Sequence, residues 1–569
     1  MAKAIYYRSS RGEEGPFSFD AISSLVDEGY IGDRTMVMWN DHWELYSDSQ
    51  LSSMVNDYKG DSTNAVKNHV EGGIHENAMR MLEDEHYNNS SIWVYDEQNP
   101  DNRWTTATIM EASADGDMLR IVTDMHGEES YLDTLTTPVL HANLPFVDEE
   151  EYSFNLVNLP HTHEAALLHH LSQRFRRKQR YTYIGDTILV ALTAFGQEEN
   201  SRLPEMSAFT GEGMTVEEHH NFLTQVPHPW SFAEKILLYL KLMLTSQTLV
   251  MMGESGSGKT TSSNLIINYL LARNDGLITA APEDHFPESY RRQQVALCDT
   301  IEHSMQCLNS FGHALVYGSV NSSRYGKLTH LFYNARQEDH KHYGERDMPN
   351  LVGARTECIL LEKSRVVEMN ENERNFHVFY QLLAAVDTPE YEALAEYGLG
   401  RPDQYKILIP SQGSVLGSKS KDREGFLKML DALSHVGFSQ TEVLGMLRVL
   451  VGILHLGNLV FDEEMDEFGM VHCVVRDIRV LDMAAYGLGV ESDSLFNAIT
   501  TVRAGSIVDT HTMQRSALQS SFVKEQVCKY LYEAIFVVIM KEVNHCLHTE
   551  MMDDVIAQYG GAEPPSICL

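Results

Sequence analysis

The 569-residue chain has no cysteine pair at metal-ligand spacing, no uninterrupted apolar run of ~20 residues and no excess of positive charge. Each absence excludes a class of protein. Cys298, Cys307, Cys358, Cys473, Cys528, Cys546 and Cys568 are scattered and odd in number. That pattern fits neither a thiolate metal knuckle nor a disulfide framework, and it predicts reduced thiols in a cytosolic protein. The apolar stretch 236–252 is interrupted by Lys241 and Gln247, and the stretch 443–461 by Arg448, His455 and Asn458. No membrane span is predicted. Met1 to Gly15 carries no apolar segment of the kind a signal peptide needs. Lys and Arg total 44 against 81 Asp and Glu, a formal charge of −37. Such a field repels a polyanion, so no nucleic-acid partner is expected.

What is present is a large globular composition. Hydrophobic residues make up 43 %, enough for an extensive core and too many for a disordered chain. Residues 1–51 are aromatic-rich, with Ile5-Tyr6-Tyr7 and Met36 to Trp39 predicted as strands, a turn at Gly15-Pro16, and helical spacing of Ile22, Leu25 and Val26. Residues 52–88 are polar in their first part and are assigned as a linker. Residues 89–145 hold short β-like runs, Ile92 to Tyr95, Trp104 to Ile109 and Leu119 to Val122, predicted as a small barrel. Residues 146–569 mix strands with longer helices, so the class is α/β.

The strongest local signal is Gly253-Glu254-Ser255-Gly256-Ser257-Gly258-Lys259-Thr260, which fits G-x-x-x-x-G-K-[ST]. Glycines let the backbone approach a phosphate without a Cβ in the way, and the loop N–H groups turn inward to bind it. Lys259 is predicted to reach the β- and γ-phosphates, and the Thr260 hydroxyl to ligate Mg²⁺. Thr248 to Met252 reads as a buried strand before the loop. Thr261 to Ala272 reads as a helix after it, with Leu265, Ile267, Leu270 and Leu271 available for burial. A helix N-terminus adds partial positive charge at the site where a phosphate would sit.

The loop resembles that of myosin heads, with Ser257 where that family has alanine. Further stretches, in the family's order, extend the resemblance over roughly residues 90–569. Leu308 to Ala314 leads into Asn321-Ser322-Ser323-Arg324-Tyr325-Gly326-Lys327, which resembles the myosin switch I. Leu360 to Val367 and Glu373 to Leu383 look like the paired strand and helix of the same head, and Ile453 to Leu459 is a further match. The resemblance implies a phosphate-loop NTPase core that binds and hydrolyses ATP with Mg²⁺. It implies phosphate contacts from Gly253 through Thr261, and Ser323 completing the metal shell opposite Thr260. Ser322 would hold the attacking water or relay its proton, Asn321 would contact phosphate, and Arg324 would pair with a carboxylate from a second switch. An actin filament is the implied partner, and a cytoplasmic, cytoskeleton-associated setting is implied with it.

Elsewhere the reading is structural. Ser439 and Glu442 form a capping box opening a helix whose Val443, Leu444, Met446, Leu447, Leu450 and Leu454 are candidate core residues, with His455 a satisfied core histidine. A second long helix is predicted to bury Val527, Leu531, Ile535 and Val538. His340-Lys341-His342 is read as a solvated loop.

Three departures from the family pattern stand out. Thr193-Ala194 replaces the Asn-Pro pair that opens the adenine loop, and the adenine-contacting tyrosine falls near Arg202. Switch I begins Ser319-Val320-Asn321 rather than Asn-x-Asn. The chain also stops at Leu569, after what looks like the approach to the strand before switch II. On that reading the head is incomplete, Arg324 lacks its carboxylate, and this portion alone is not a competent ATPase. At the other end, Gly15-Pro16-Phe17, Ile22, Leu25 and Gly29-Tyr30-Ile31 follow the register of GYF domains, with Leu25 and Ile31 where that family has aromatics. Tyr6, Phe17 and Tyr30 would form a platform for a Pro-rich peptide. Two functions from different classes follow: an actin-based motor head, or a nucleotide-gated scaffold that hydrolyses little and recruits Pro-rich partners. An inactive fragment is the third reading.

Overall fold

The computed structural model describes the strands at 5–9, 12–17, 36–39 and 42–45. It also describes residues 91–95, 103–113, 118–123, 127, 129–134, 136–143, 155–192, 205–211, 213–280, 287–335, 348–386, 396–409, 417–506 and 509–569. Contacts divide the chain into two units, 1–180 and 181–569. All seven cysteines are free thiols.

In the first unit, β1 (Ile5–Ser9), β2 (Gly12–Phe17), β3 (Met36–Trp39) and β4 (His42–Leu45) form an antiparallel sheet in the order β2-β1-β3-β4. The expected helix near Ile22, Tyr30 and the 52–88 linker lie outside the described residues. A second antiparallel sheet has the order β8-β7-β6-β5-β9. Its strands are β5 (Ser91–Tyr95), β6 (Trp104–Ala112), β7 (Met118–Thr123), β8 (Glu129–Asp133) and β9 (Val139–His141). Residues two apart share a face, so Ala107 and Ile109 on β6 and Leu119 and Ile121 on β7 meet Ile92 and Val139 in one small core. Strands β8 and β9 sit at opposite edges, yet a tight turn at Asp133 joins them closely. Among the described residues no β8–β9 ladder joins the two edges, and the strands expected as a small barrel are seen as a five-stranded sheet.

The second unit is built on a mixed sheet in the order β12-β21-β15-β16. Strand β12 (Gln247–Thr248) follows the short hairpin of β10 (Tyr181–Ile184) and β11 (Ile188–Ala191). The hairpin β13 (His313–Val316) and β14 (Ser319–Ser323) precedes β15 (Gly326–Asn334) and β16 (Asn350–Ile359). Two further hairpins, β17 (Phe461–Met465) with β18 (Val471–Val475) and β19 (Thr501–Ser506) with β20 (Asp509–Gln514), lie before β21 (Ser566–Cys568). Strand β21 pairs parallel with β12 and antiparallel with β15. The helices used below are α1 (Pro229–Met243), α2 (Lys259–Ala280), α3 (Glu288–Gly312), α4 (His377–Ala385), α5 (Lys419–His435), α6 (Gln440–Asn458) and α7 (Ala517–Leu547).

Several expectations change shape. The strand before the glycine loop stops at Thr248. Leu249 still donates to Cys568 O at 2.7 Å, but β21 ends there, and Val250 and Met252 are 75 % and 87 % exposed. Helix α2 runs on past the expected end at Ala272, through Arg273-Asn274, to Ala280. Both are buried: Arg273 faces Glu234, and Asn274 donates to Gln294 and accepts from Leu351 N–H. Leu360 to Val367 is not a strand. Leu360 takes a left-handed backbone (φ +56°) and Lys363–Val366 forms a 3-10 turn. That turn brings Arg365 onto Glu362, three residues before it.

Helix α6 has the expected capping box, with Glu442 N–H donating to Ser439 Oγ and Ser439 N–H to Glu442 Oε2. His455 is buried and bonded to Tyr397 O at 2.9 Å, as expected of a core histidine. Of the face predicted for α7, Ile535 is buried and Val527 and Leu531 pack partly buried against the core, but Val538 is 49 % exposed. The buried line runs through Lys524, Cys528, Tyr532, Ile535, Ile539 and Val543. Apolar periodicity misses it because the lysine and tyrosine do polar work inside. Lys524 Nζ donates to Leu459 O just past α6, and Tyr532 stacks on Phe376 while its hydroxyl donates to Phe311 O.

One packed histidine makes stability depend on pH. His228 is the N-cap of α1, and its Nδ1 accepts from Trp230 N–H at 3.1 Å, which requires an unprotonated nitrogen. The ring is buried against Phe209 and Trp230, and burial pushes its pKa down to about 4. A depressed folded pKa means the unfolded chain takes the proton first, so stability is intact above pH 6.5 and is lost as pH falls toward 4. Between pH 7 and pH 5 the wild type is expected to lose about 2 kcal/mol more than His228→Asn, which keeps a capping oxygen. Urea unfolding at the two pH values measures it, and equal losses would remove His228 as the cause.

Candidate functional site

The glycine loop turns between β12 and α2. Gly253, Gly256 and Gly258 adopt φ of +144°, +82° and +87°, a region that side chains disfavour. A Cβ on Gly256 would also stand 3.3 Å from Gly318 O, in the turn of the β13–β14 hairpin. Glycine is therefore what lets loop and hairpin approach each other. Between them opens a cleft of about 570 Å³, lined by Ser255, Gly256, Gly258, Lys259, Thr260 and Thr261 on one side. Ser319, Asn321, Ser322, Ser323, Arg324, Tyr325, Leu360 and Glu362 line the other. Lys259 opens α2, and its ammonium donates to Gly253 O and Glu254 O at 2.7 Å each, which curls the side chain back over the loop.

Loop and hairpin meet through hydroxyls. Ser255 Oγ lies 3.1 Å from Ser322 Oγ, and Thr260 Oγ1 lies 3.0 Å from Ser323 Oγ. The second distance tests the fit of Mg²⁺. Adjacent oxygens of an octahedral Mg²⁺ shell are about 2.9 Å apart, given bonds of 2.0–2.1 Å. Two neutral hard oxygens at that spacing, from loop and hairpin, suit such an edge.

Two histidines that no motif marks as site residues set this hairpin. His313 Nδ1 bonds Asn321 Oδ1 at 3.0 Å, and its Nε2 bonds Ser323 Oγ at 2.9 Å. His377 Nε2 bonds the same Asn321 Oδ1 at 3.0 Å. An amide oxygen only accepts, so His313 carries its proton on Nδ1 and its Nε2 accepts from the Ser323 hydroxyl. The lone pairs of Ser323 are thereby turned outward, and the Asn321 –NH₂ is left to donate. Burial pushes the pKa of His313 down to about 4 and, helped by Arg374 and His313, that of His377 to about 3. Both rings are therefore neutral at pH 7.

Arg324 is not without a carboxylate. Its Nε donates to Glu362 Oε2 at 2.6 Å, and its Nη1 reaches Ser322 Oγ at 3.3 Å. Glu362 also accepts from Arg365 at 2.8 Å, and Arg365 pairs in turn with Glu373 at 2.8 Å. Burial pushes the Glu362 carboxyl up, but Arg365 and Arg324 outweigh it and hold the pKa below the ordinary value. Glu362 stood in a quoted motif, yet nothing in the sequence tied it to a residue 38 positions earlier. Thr193-Ala194, Arg202 and His340 to His342 lie outside the described residues, as do the side chains of Tyr6 and Phe17.

A glycine loop opening a long helix beside a parallel strand pair is the arrangement of phosphate-loop nucleotide-binding proteins. Within that class the chain belongs to the myosin head (motor domain) family, whose model matches residues 154–558. It is 27 % identical over 467 residues to unconventional myosin-Va of Homo sapiens, covering 80 % of this chain and 22 % of that protein. It is 26 % identical over 423 residues to unconventional myosin-VI of Homo sapiens, covering 69 % and 30 %. Myosin-1 of Pyricularia oryzae is 30 % identical over 387 residues, covering 67 % and 28 %. The chain thus spans less than a third of the length of these relatives. Among the described residues no helix is long and apolar enough to cross a membrane.

Proposed function

We propose that the chain binds Mg-ATP in the cleft between the 253–260 loop and the β14 hairpin, as the nucleotide site of an actin-based motor head. The observation that carries this reading is the Thr260–Ser323 oxygen pair, 3.0 Å apart, beside Lys259 at the N-terminus of a 22-residue helix. In the proposed complex the loop N–H groups and the Lys259 ammonium bind the β- and γ-phosphates. Thr260 and Ser323 hold Mg²⁺, which supplies charge neutralisation at the phosphates. The Asn321 amide donates to phosphate oxygen, and the Ser322 hydroxyl orients a water at the γ-phosphate. Arg324, held by Glu362, contributes positive charge beside that hydroxyl. Hydrolysis coupled to an actin filament rests on membership of the family. A peptide platform at Tyr6, Phe17 and Tyr30, and a closed barrel at 89–145, stay proposals carried by the sequence pattern.

A fluorescent ATP analogue titrated into the chain with Mg²⁺, and again with chelator, tests the reading. Saturable binding that weakens at least about tenfold without Mg²⁺ is expected. Affinity unaffected by chelator would overturn the assignment of Thr260 and Ser323.

A further inference from the structure

A second group of ligand-type side chains lies where α3 packs against α5. His303 projects from α3, and Asp431 and His435 lie four residues apart at the C-terminal end of α5. One ligand atom from each falls within 4.8 Å of the other two. The imidazoles are stacked, with centroids 3.9 Å and planes 7° apart.

Hydrogen bonds fix what each group offers. His303 Nδ1 donates to Asp299 O at 2.6 Å, and His435 Nδ1 donates to Asp431 O at 2.9 Å. In a neutral imidazole whose Nδ1 carries the proton, Nε2 holds the free lone pair. The backbone bond of His303 leaves its free Nε2 facing Asp431, as in histidine metal sites, whereas that of His435 uses the nitrogen nearer Asp431. The Asp431 carboxylate lies 3.6 Å from Nε2 of His303 and 3.6 Å from Nδ1 of His435, beyond hydrogen-bond reach, so its lone pairs are not spent on either imidazole, and the His435 ring has to turn to bring Nε2 toward it.

We propose that His303, Asp431 and His435 form a binding site for a borderline divalent transition-metal cation of the Zn²⁺ type. Two imidazoles and one carboxylate are a donor set such ions take, whereas Mg²⁺ and Ca²⁺ select oxygen alone. Three protein ligands leave a fourth position for water. Ligands of a tetrahedral Zn²⁺ stand about 3.3 Å apart, so the three groups need to close by about 1.5 Å. The side chains are 26 %, 65 % and 49 % exposed, which leaves room for that adjustment and a path for the ion. Asp431 and His435 offer two ligands from one helix at i, i+4, and His303 brings the third from its neighbour. Occupancy would therefore tie α5 to α3, the helix that runs directly into the β13–β14 hairpin.

The test uses the full chain, freed of any affinity tag and stripped with chelator. Zn²⁺ is titrated in competition with a chromophoric chelator, and Co²⁺ is followed by its visible ligand-field absorption. One equivalent of Zn²⁺ is expected to bind, with affinity at least ~10-fold weaker in His303→Ala and His435→Ala. Asp431→Asn is expected to alter the Co²⁺ band. His435 is half exposed at a helix end, so its variant keeps the test valid should His303→Ala unfold. Equal Zn²⁺ stoichiometry and affinity in wild type and the His303→Ala/His435→Ala double variant would overturn the proposal. So would a wild type that fails to compete with the chelator.

Discussion

Lys259→Ala is expected to weaken Mg-ATP binding by at least about 100-fold while leaving the fold unchanged. The ammonium is already poised over the loop by Gly253 O and Glu254 O. Its third proton, and any released when phosphate displaces a carbonyl, makes charge-assisted hydrogen bonds of about 1.5–3 kcal/mol each. Two such bonds amount to two decades or more of affinity. The side chain is only partly buried and packs in no apolar core, so its removal should not unfold α2. Titration of the fluorescent nucleotide reads the affinity, and thermal unfolding without nucleotide reads the fold. Unchanged affinity would show that the loop does not bind phosphate.

The largest expected effect on stability comes from Glu234→Ala. Glu234 is fully buried on α1. It faces Arg273 of α2 at 3.3 Å and accepts from the Tyr269 hydroxyl at 2.9 Å. The pair ties α1 to the helix that carries the phosphate loop. Removing one member of a buried ion pair costs about 3–5 kcal/mol, because the other charge stays in a low-dielectric surrounding. Replacing both by apolar residues, Glu234→Leu with Arg273→Met, is expected to cost less than Glu234→Ala alone. Denaturant unfolding of the variants decides it. A cost below about 1 kcal/mol for Glu234→Ala would mean that the pair contributes little to the α1–α2 contact.

Gly253 to Thr260 could be read from sequence because its chemistry is local: glycines at turn positions, then a lysine and a hydroxyl at a helix start. The strands Met36 to Trp39 and Ile92 to Tyr95 could be read because a short apolar, aromatic-rich run bounded by polar residues is also a local signal. The hydroxyl neighbours Ser322 and Ser323 stood out through their motif. The groups that orient them did not. His313 and His377 converge on Asn321 only after the α4 helix has packed beside the hairpin. The Glu362–Arg324 pair depends on the backbone reversing at Leu360. Helix α7 was legible only in part for a related reason. Its buried line includes Lys524 and Tyr532, whose polar ends meet backbone carbonyls far away in the sequence. Hydropathy reports how apolar a residue is and carries no information about such partners.

The position of β21 in the central sheet bears on how the protein comes off the ribosome. β21 seats between β12 and β15, and Ser566 bonds Ser246 across 320 residues. At 5–20 residues per second, translation takes about 16–64 s to supply β21 after β12 has been made. During that interval β12 and β15 each have an unpaired edge. Long-range pairing of this kind folds slowly and leaves strand edges open to other chains. The glycine loop thus follows a strand that waits long for its sheet partner, and a nascent chain held during that wait is the form most exposed to aggregation.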